Sequence, residues 1–304
     1  MIVFIGRMIF LTGKALLVIN PCSGKGMAKR VLLDIVTRLN DGGCTVTVLP
    51  TKKGSATIDT IAAETAHYDM VIACGGDGTL NMVAEGVTAS GTKTPIGYIP
   101  LGTTNDFASS LGIPSDIGKA VEAILAGSPH PHDLGCFGEK HFTYIACCGA
   151  FTETSYSTPQ TLKNIFGHAA YVLNVVPLLA DIHPMEITAE TDEGTLDGKF
   201  IFCALANTTT AAGFIKLDGK DVDFADGKFE LILIRFPKDL PEGNRVAAKL
   251  IKGDMNDPLI EIHHTSFVRF RSEKPVGWSL DGENGGKHDS VLLSVEKNAA
   301  FILK

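Results

Sequence analysis

From Lys14 to about Asp133, short apolar runs alternate with amphipathic ones, the pattern of βαβ units that build a parallel sheet. Ala15 to Ile19 reads as a buried strand. Val31, Leu32, Ile35, Val36 and Leu39 then share one face of a helix that Gly42 and Gly43 close. Thr45 to Leu49 follows as a strand, Ser55 to His67 as a helix, and Met70 to Cys74 as a wholly apolar strand running into Gly75. A helix from Leu80 to Val87, a strand from Pro95 to Ile99, a helix opening after Thr104 and another from Ser115 to Ala126 complete a doubly wound α/β domain over residues 1–133. Beyond it the period shortens. His141 to Cys147, Met185 to Thr191, Lys199 to Ala206, Lys228 to Arg235, Leu259 to His263, Ser266 to Arg271 and Val291 to Val295 are β-rich runs joined by Gly and Asp turns. Residues 134–304 are therefore expected to be mostly antiparallel β, interrupted by helices at about Gln160 to Leu179 and about Leu240 to Lys252.

Composition agrees with two folded domains. At about 150 residues per domain, 304 residues make two, and 45% hydrophobic with 20% charged residues is enough to bury a core in each and exclude disorder as the main theme. Lys and Arg number 27 against 34 Asp and Glu, and a chain acidic by 7 is not built to wrap nucleic-acid phosphates. Seven cysteines form no CxxC pair and sit mostly in apolar runs, as reduced thiols of a cytoplasmic protein do, so neither a disulfide framework nor a zinc site follows. Asn164 to Ala180 is uncharged but broken by His168, Asn174 and Pro177, short of the ~20 apolar residues of a membrane span. The apolar start, Met1 to Asn20, carries Arg7 and Lys14 and no small-residue cleavage site, and is expected to be retained rather than removed as a signal.

Three strand-to-helix loops carry the chemistry. Gly75-Gly76-Asp77-Gly78-Thr79-Leu80-Asn81 lies between a buried strand and a helix. Glycines there let the backbone approach a polyphosphate, the helix N-terminus favours negative charge, and Asp77 is placed to hold a magnesium ion. Pro100 to Ala108 occupies the same place after the next strand, with Gly102, Thr103 and Thr104 as phosphate donors or caps and Asp106 suited to either magnesium or capping. Asn20-Pro21-Cys22-Ser23-Gly24-Lys25-Gly26 is the third; it resembles a phosphate loop, although GxxxxGK[ST] cannot be laid over it. Near the end, Ser279-Leu280-Asp281-Gly282-Glu283 reads on its residues alone as a solvated hairpin, with Glu283 a candidate base if an alcohol is phosphorylated. Asp223, Asp226 and Lys228 lie in an acidic, glycine-bent run that suits either an oxygen-ligand metal loop or a β-turn. His130 and His132 flank a proline in an expected loop with no further ligand nearby, so no zinc is assigned there. His263 and His264 alternate across a strand.

The succession GGDGTLN, PLGTTNDFA, HDLG at His132 to Gly135, and LDGE resembles the diacylglycerol kinase catalytic-domain family, in particular its soluble bacterial lipid kinases, over Ala15 to Glu283. GGDGT alone also occurs in NAD kinases and phosphofructokinase-like proteins; the paired GGDGT and GTxNDFA loops are more specific. The resemblance implies a phosphofructokinase-like nucleotide domain followed by a β-sandwich, with the last residues returning to the first domain. It further implies ATP and magnesium as cofactors and a lipid substrate met at a membrane surface by a cytoplasmic, transiently peripheral protein. It assigns Asn20, Pro21, Cys22, Ser23, Gly24, Thr51, Gly75 to Asn81, Gly102 and Thr103 to ATP contacts. Asp77, Asp106 and Asp133 take acidic positions around nucleotide and magnesium, while Asp223, Asp226 and the Lys228 carbonyl form a structural magnesium loop. Glu283 is the general base. Ala211 to Asp218 fits the family loosely, which leaves the lipid open. The competing expectations are an NAD kinase-like enzyme and a regulator that binds nucleotide or lipid without catalysis. A homodimer is left open, and the helix at Leu162 to Leu179, with Lys163, Phe166 and Tyr171, is either a membrane-docking element or a buried one.

Overall fold

A computed structural model describes residues 13–52, 54–150, 183–211, 215–217 and 222–304. The expected extension before Lys14 and the expected helix carrying Lys163, Phe166 and Tyr171 lie outside the described residues, as does half of Ala211 to Asp218. Among the described residues no helix is long and apolar enough to cross a membrane. Two compact units divide the chain, the first running to His132 and taking in Asn298–Lys304, the second comprising Asp133–Lys297.

The first unit holds β1 (Gly13–Ile19), α1 (Ser23–Asp41), β2 (Cys44–Pro50), α2 (Ala56–Glu64), β3 (Met70–Gly75), α3 (Asp77–Ala89), β4 (Ile96–Pro100), α4 (Asp106–Leu111) and α5 (Ile117–Ala126). Its strands are parallel in the order β2-β1-β3-β4. Strand β15 (Glu283–Leu303) supplies a further edge, with Ile302 opposite Ile96 in parallel register. Ala15, Leu17, Ile19, Ile72 and Cys74 form one core with Ile35 and Leu39 of α1 and Val121 and Ile124 of α5. The alternate strand residues Leu16, Val18, Val71 and Ala73 are equally buried, so both faces of the sheet are covered, as βαβ crossovers require. This is why the strands read as unbroken apolar runs rather than alternating ones.

The second unit is antiparallel throughout its described pairings. Its strands are β5 (Pro129–Phe137, entering from the first unit), β6 (Lys140–Phe142), β7 (Ile145–Gly149), β8 (Met185–Thr191), β9 (Gly194–Ala206), β10 (Thr210–Ala211), β11 (Ile215–Lys216), β12 (Phe229–Arg235), β13 (Ile260–Thr265), β14 (Phe267–Leu280) and most of β15. The long strands β9 and β14 each pair with β8 over one half and with β7 over the other, and β12 and β13 extend the β9 side. Their inward residues, among them Phe142, Phe200, Phe229, Phe270 and Trp278, form a second core. Helix α6 (Leu240–Lys252) starts at Asp239, whose carboxylate accepts from the Glu242 N–H at 2.8 Å, and ends at Gly253 with φ of 69°.

Two local expectations are corrected. The stretch from His130 is a strand, β5, rather than a loop. The expected single strand from His141 to Cys147 is broken into β6 and β7, and the cause lies at the β14–β15 hairpin. Asp281 and Gly282 turn that hairpin with φ of 48° and 86°, the left-handed pair of a two-residue β-turn. The Asp281 side chain is buried, not solvated: it accepts from Thr143 N–H (2.6 Å), Thr143 Oγ1–H (2.8 Å), Tyr144 N–H (3.0 Å) and Ile145 N–H (3.0 Å). These bonds replace the ladder where the expected strand breaks. Replacing one Asp281 oxygen by an NH2 group sets donor against donor, and each unsatisfied buried N–H costs about 1–3 kcal/mol. Asp281→Asn is therefore expected to lower unfolding free energy by about 2–4 kcal/mol in urea titration, and a change below about 0.5 kcal/mol would contradict this role.

Candidate functional site

The carboxyl ends of the four strands of the first unit lie side by side. Past the ladder, the Asn20 N–H donates to Cys74 O (3.0 Å), the Thr51 N–H to Ile19 O (2.8 Å) and the Leu101 N–H to Gly75 O (2.7 Å). The chain leaves β1 toward β2 while β3 sits on its other side, so the loops after β1 and β3 diverge at a topological switch point, where open α/β sheets bind ligands.

At that point the loop after β1 is strained. Asn20 Oδ1 accepts from the Cys22 N–H (2.9 Å), after which Gly24, Lys25 and Gly26 follow with φ of 59°, 54° and 85°. Regular helix begins only after them, later than the assigned start of α1 at Ser23. A left-handed lysine costs about 1–2 kcal/mol, and such strain concentrates where a loop must present its backbone to something. Successive N–H groups in a turn of this kind make an anion-binding concavity.

The loops after β3 and β4 touch through bare backbone. A Cβ on Gly102 would lie 2.7 Å from Gly76 Cα and 2.5 Å from Asn105 Oδ1, and one on Gly76 would lie 3.3 Å from Gly102 Cα. Asn105, left-handed at φ of 53°, brackets Gly102 by accepting from its N–H (2.8 Å) and donating to its carbonyl (3.1 Å). Helix α3 begins at Asp77 rather than at the expected Leu80, with Gly76 as its N-cap and no side-chain cap. The positive end of its dipole therefore faces the strand ends. Asp77 reaches across to α4, its Oδ2 accepting from the Asp106 N–H (3.2 Å) and its Oδ1 from the Phe107 N–H (3.4 Å). The buried Tyr98 hydroxyl stands among Gly75 O (3.4 Å), Asp77 Oδ1 (3.5 Å) and Asn105 Oδ1 (3.4 Å), and burial together with Asp77 keeps it protonated. Burial first, and then the Asp77 charge, push the Asp106 carboxyl from 3.8 up to about 6. Two carboxylates thus crowd at the mouth of backbone-lined loops, an arrangement suited to a divalent cation carrying phosphate oxygens.

Of the residues expected at the site, Asn20 to Gly24, Thr51, Gly75 to Asn81, Gly102, Thr103 and Asp106 belong to these strand ends. Within that set Thr79 and Leu80 point inward at 4% and 0% exposure, so only their backbone can face a ligand. Asp133 lies in the second unit, fully buried, where its Oδ2 accepts from the Gly227 N–H (2.6 Å) and fixes the acidic turn. In that turn Asp223 Oδ1 accepts from Ala225 N–H (3.1 Å), Asp226 Oδ1 from Lys228 N–H (2.8 Å), and Lys297 donates to Asp226 O (3.0 Å). Glu283 is exposed at the first position of β15. Tyr98 and Asn105 were not singled out from the sequence; a phenol inside the apolar strand Ile96–Pro100, needing a partner for its hydroxyl, is the signal that marks the first.

The sequence model described as the diacylglycerol kinase catalytic domain matches residues 14–137. A diacylglycerol kinase of Staphylococcus epidermidis is 33% identical over 287 residues, covering 94% of this chain and 90% of its own. One from Staphylococcus aureus is 32% identical with the same coverage. Among solved structures, a diacylglycerol kinase from Bacillus anthracis superposes with a TM-score of 0.75 at 20% identity, over 95% of this chain and 96% of that one, which is a likeness of fold.

The raised Asp106 carboxyl has a consequence for stability. Its folded-state value lies above its unfolded one, so the folded protein binds the extra proton and loses stability as pH rises from about 4 to about 6. Asp106→Asn removes that loss. The stability of the variant relative to wild type should therefore increase across this window in melting experiments without added metal, and a pH-independent difference would contradict the raised value.

Proposed function

Because this chain belongs to the diacylglycerol kinase family and is a phosphotransferase with an alcohol acceptor, we propose that it transfers the γ-phosphate of ATP, with magnesium, to a hydroxyl of diacylglycerol or a related lipid. The observation that carries the reading is the contact of Gly76 with Gly102, spanned by the Asp77 carboxylate: it presents two backbone loops and an acidic pair to one point at the strand ends. ATP fits the strained, donor-rich loop at Asn20 to Gly26, the uncapped start of α3 and Thr51. Magnesium fits the Asp77–Asp106 pair, whose mutual repulsion a cation would relieve. Held by Asp77 and Asp106, magnesium would neutralise the negative charge that develops during phosphoryl transfer.

The chain's own residues do the rest. Backbone N–H groups of the loops after β1 and β3 hold and orient the phosphates. Tyr98 and Asn105 keep Asp77 and Gly102 in register. Glu283 takes the proton of the attacking lipid hydroxyl, a role supported by its exposed position directly after the Asp281-Gly282 turn that four hydrogen bonds lock in place. Asp223, Asp226 and the Lys228 carbonyl, on an exposed acidic turn, are our candidates for a structural ion loop, with Asp133 as its anchor. We read the sharing of β9 and β14 between β7 and β8 as a β-sandwich that carries the lipid-binding surface. Seven cysteines without a disulfide suit a cytoplasmic protein that visits the membrane surface for its substrate.

The deciding experiment offers diacylglycerol, other lipid alcohols and NAD separately and measures ADP release, with mass spectrometry of the lipid product. ADP formation that depends on a glycerolipid is expected, and ATP binding without lipid-dependent ADP release across the panel would overturn the reading. Asp77→Asn retains one acceptor for the N-terminus of α4. It should stay folded while its magnesium-dependent turnover falls by about 10² or more, the scale of several kcal/mol of lost charge stabilisation. Near-normal turnover in a folded variant would remove Asp77 from the chemistry. For Glu283→Gln, the shape is kept and proton acceptance is lost. ATP affinity should hold while kcat drops by about 10² or more, and a kcat within about threefold of wild type, with chemistry rate-limiting, would return Glu283 to a plain turn position.

A further inference from the structure

Cys136 on β5 and His141 on β6 stand directly opposite each other in the short hairpin that joins these strands, and Glu296 of β15 lies beside them. His141 Nε2 is 3.0 Å from Glu296 Oε2, Cys136 Sγ is 4.0 Å from the same oxygen, and the three ligand atoms all lie within 4.8 Å of one another. All three belong to the second unit, and none takes part in the proposed phosphoryl transfer. We propose that Cys136, His141 and Glu296 form a binding site for a zinc-class divalent cation, with water completing the coordination.

The chemistry of the set and its dimensions both support this. Thiolate, imidazole and carboxylate together are the ligands of borderline-soft ions such as zinc, whereas magnesium and calcium take oxygen alone. Tetrahedral zinc with ordinary bond lengths separates its N and O ligands by about 3.3 Å and its S and O ligands by about 3.5 Å. The observed 3.0 and 4.0 Å each lie within about half an ångström of those spacings. The strands themselves hold the geometry: Cys136 and His141 are fixed by their register, flanked by Gly135 opposite Phe142 and Phe137 opposite Lys140. His141 and Cys136 are half-buried and Glu296 is exposed, which leaves room for a fourth ligand from solvent. From sequence alone no zinc site followed, since the spacing of Cys136 and His141 carries no motif and Glu296 is 155 residues beyond His141. The simpler alternative is a His141–Glu296 ion pair beside an unrelated thiol.

Binding places the metal on a thiolate, the Cys136 thiol proton passing to buffer, so no oxidant or reductant is involved. The test is titration of the full chain with Co2+ under reducing conditions. A single equivalent should give thiolate-to-cobalt charge-transfer absorption together with the intense visible bands of a four-coordinate ion, and Zn2+ should displace both. Cys136→Ser should abolish the charge-transfer absorption, His141→Ala and Glu296→Gln should each weaken binding by about tenfold or more, and Cys22→Ser, at the exposed cysteine, should leave the spectrum unchanged. Because the oxygen-ligand ions of the kinase reading give no thiolate band, the result is independent of that reading. Absence of the band in wild type, or its persistence in Cys136→Ser, overturns the proposal. If Cys136→Ser does not fold, the exposed Glu296→Gln decides: unchanged Co2+ affinity there leaves only a thiol that binds metal by itself, and the site is refuted.

Discussion

Everything at the candidate site depends on two backbones meeting without side chains between them. Gly76 and Gly102 touch closely enough that a methyl group on Gly102 would push Gly76 away, and that contact sets how far the start of α3 lies from the start of α4. Asp77 then spans the gap, its carboxylate accepting from the first two N–H groups of α4, so the loop ending β3 caps the helix that follows β4. Asn105 would be the usual side chain for that cap, but it is turned back around Gly102. Asp77 thus carries structural and electrostatic duty together, which is why Asp106, desolvated beside it, is left holding its proton more tightly.

In the second unit a comparable constraint works through a buried charge. The tight turn at Asp281-Gly282 directs a carboxylate inward to the backbone of Thr143, Tyr144 and Ile145, tying the β14–β15 hairpin to the break between β6 and β7. Glu283 follows that turn directly, so its position in the chain is set by hydrogen bonds made two residues earlier. Asp133 acts the same way on the turn that carries Asp223 and Asp226. Rigid placement of exposed acidic side chains by buried ones is a device used twice in one unit.

Much of this was legible in the sequence because the first unit obeys simple rules. Strands covered on both faces are continuously apolar, and Met70 to Cys74 could be little else; the loops at their carboxyl ends announced themselves by glycine. Helix α6 was read with its observed bounds because Asp239, Pro241 and Gly253 mark its ends chemically. The misses share a different cause. Helix α3 starts inside the glycine motif, because a helix N-terminus tolerates glycine where propensity disfavours it. Strand β5 hid behind Pro131 and two histidines, and the interruption between β6 and β7 depends on a residue 138 positions away. Tyr98 and Asn105 escaped notice because their partners are set by the meeting of two loops, which no local pattern encodes.

The aspartates show why motif matching alone stops short of mechanism. Asp77, Asp106, Asp133 and Asp281 all stand in acidic motifs, yet the groups around them sort them. Asp281 receives four hydrogen bonds from neighbouring backbone and hydroxyl, which offsets the cost of burying it and fits a structural anchor. Asp133 is likewise buried and takes the Gly227 N–H. Asp106 is desolvated next to another carboxylate, and its raised value records a cost that the surrounding protein does not offset. An acid in that position is the one whose cost a bound cation would relieve, as in the function proposed above. The groups facing each carboxylate, rather than its place in a motif, distinguish Asp281 and Asp133, buried on backbone donors, from Asp106, raised by desolvation and a neighbouring carboxylate.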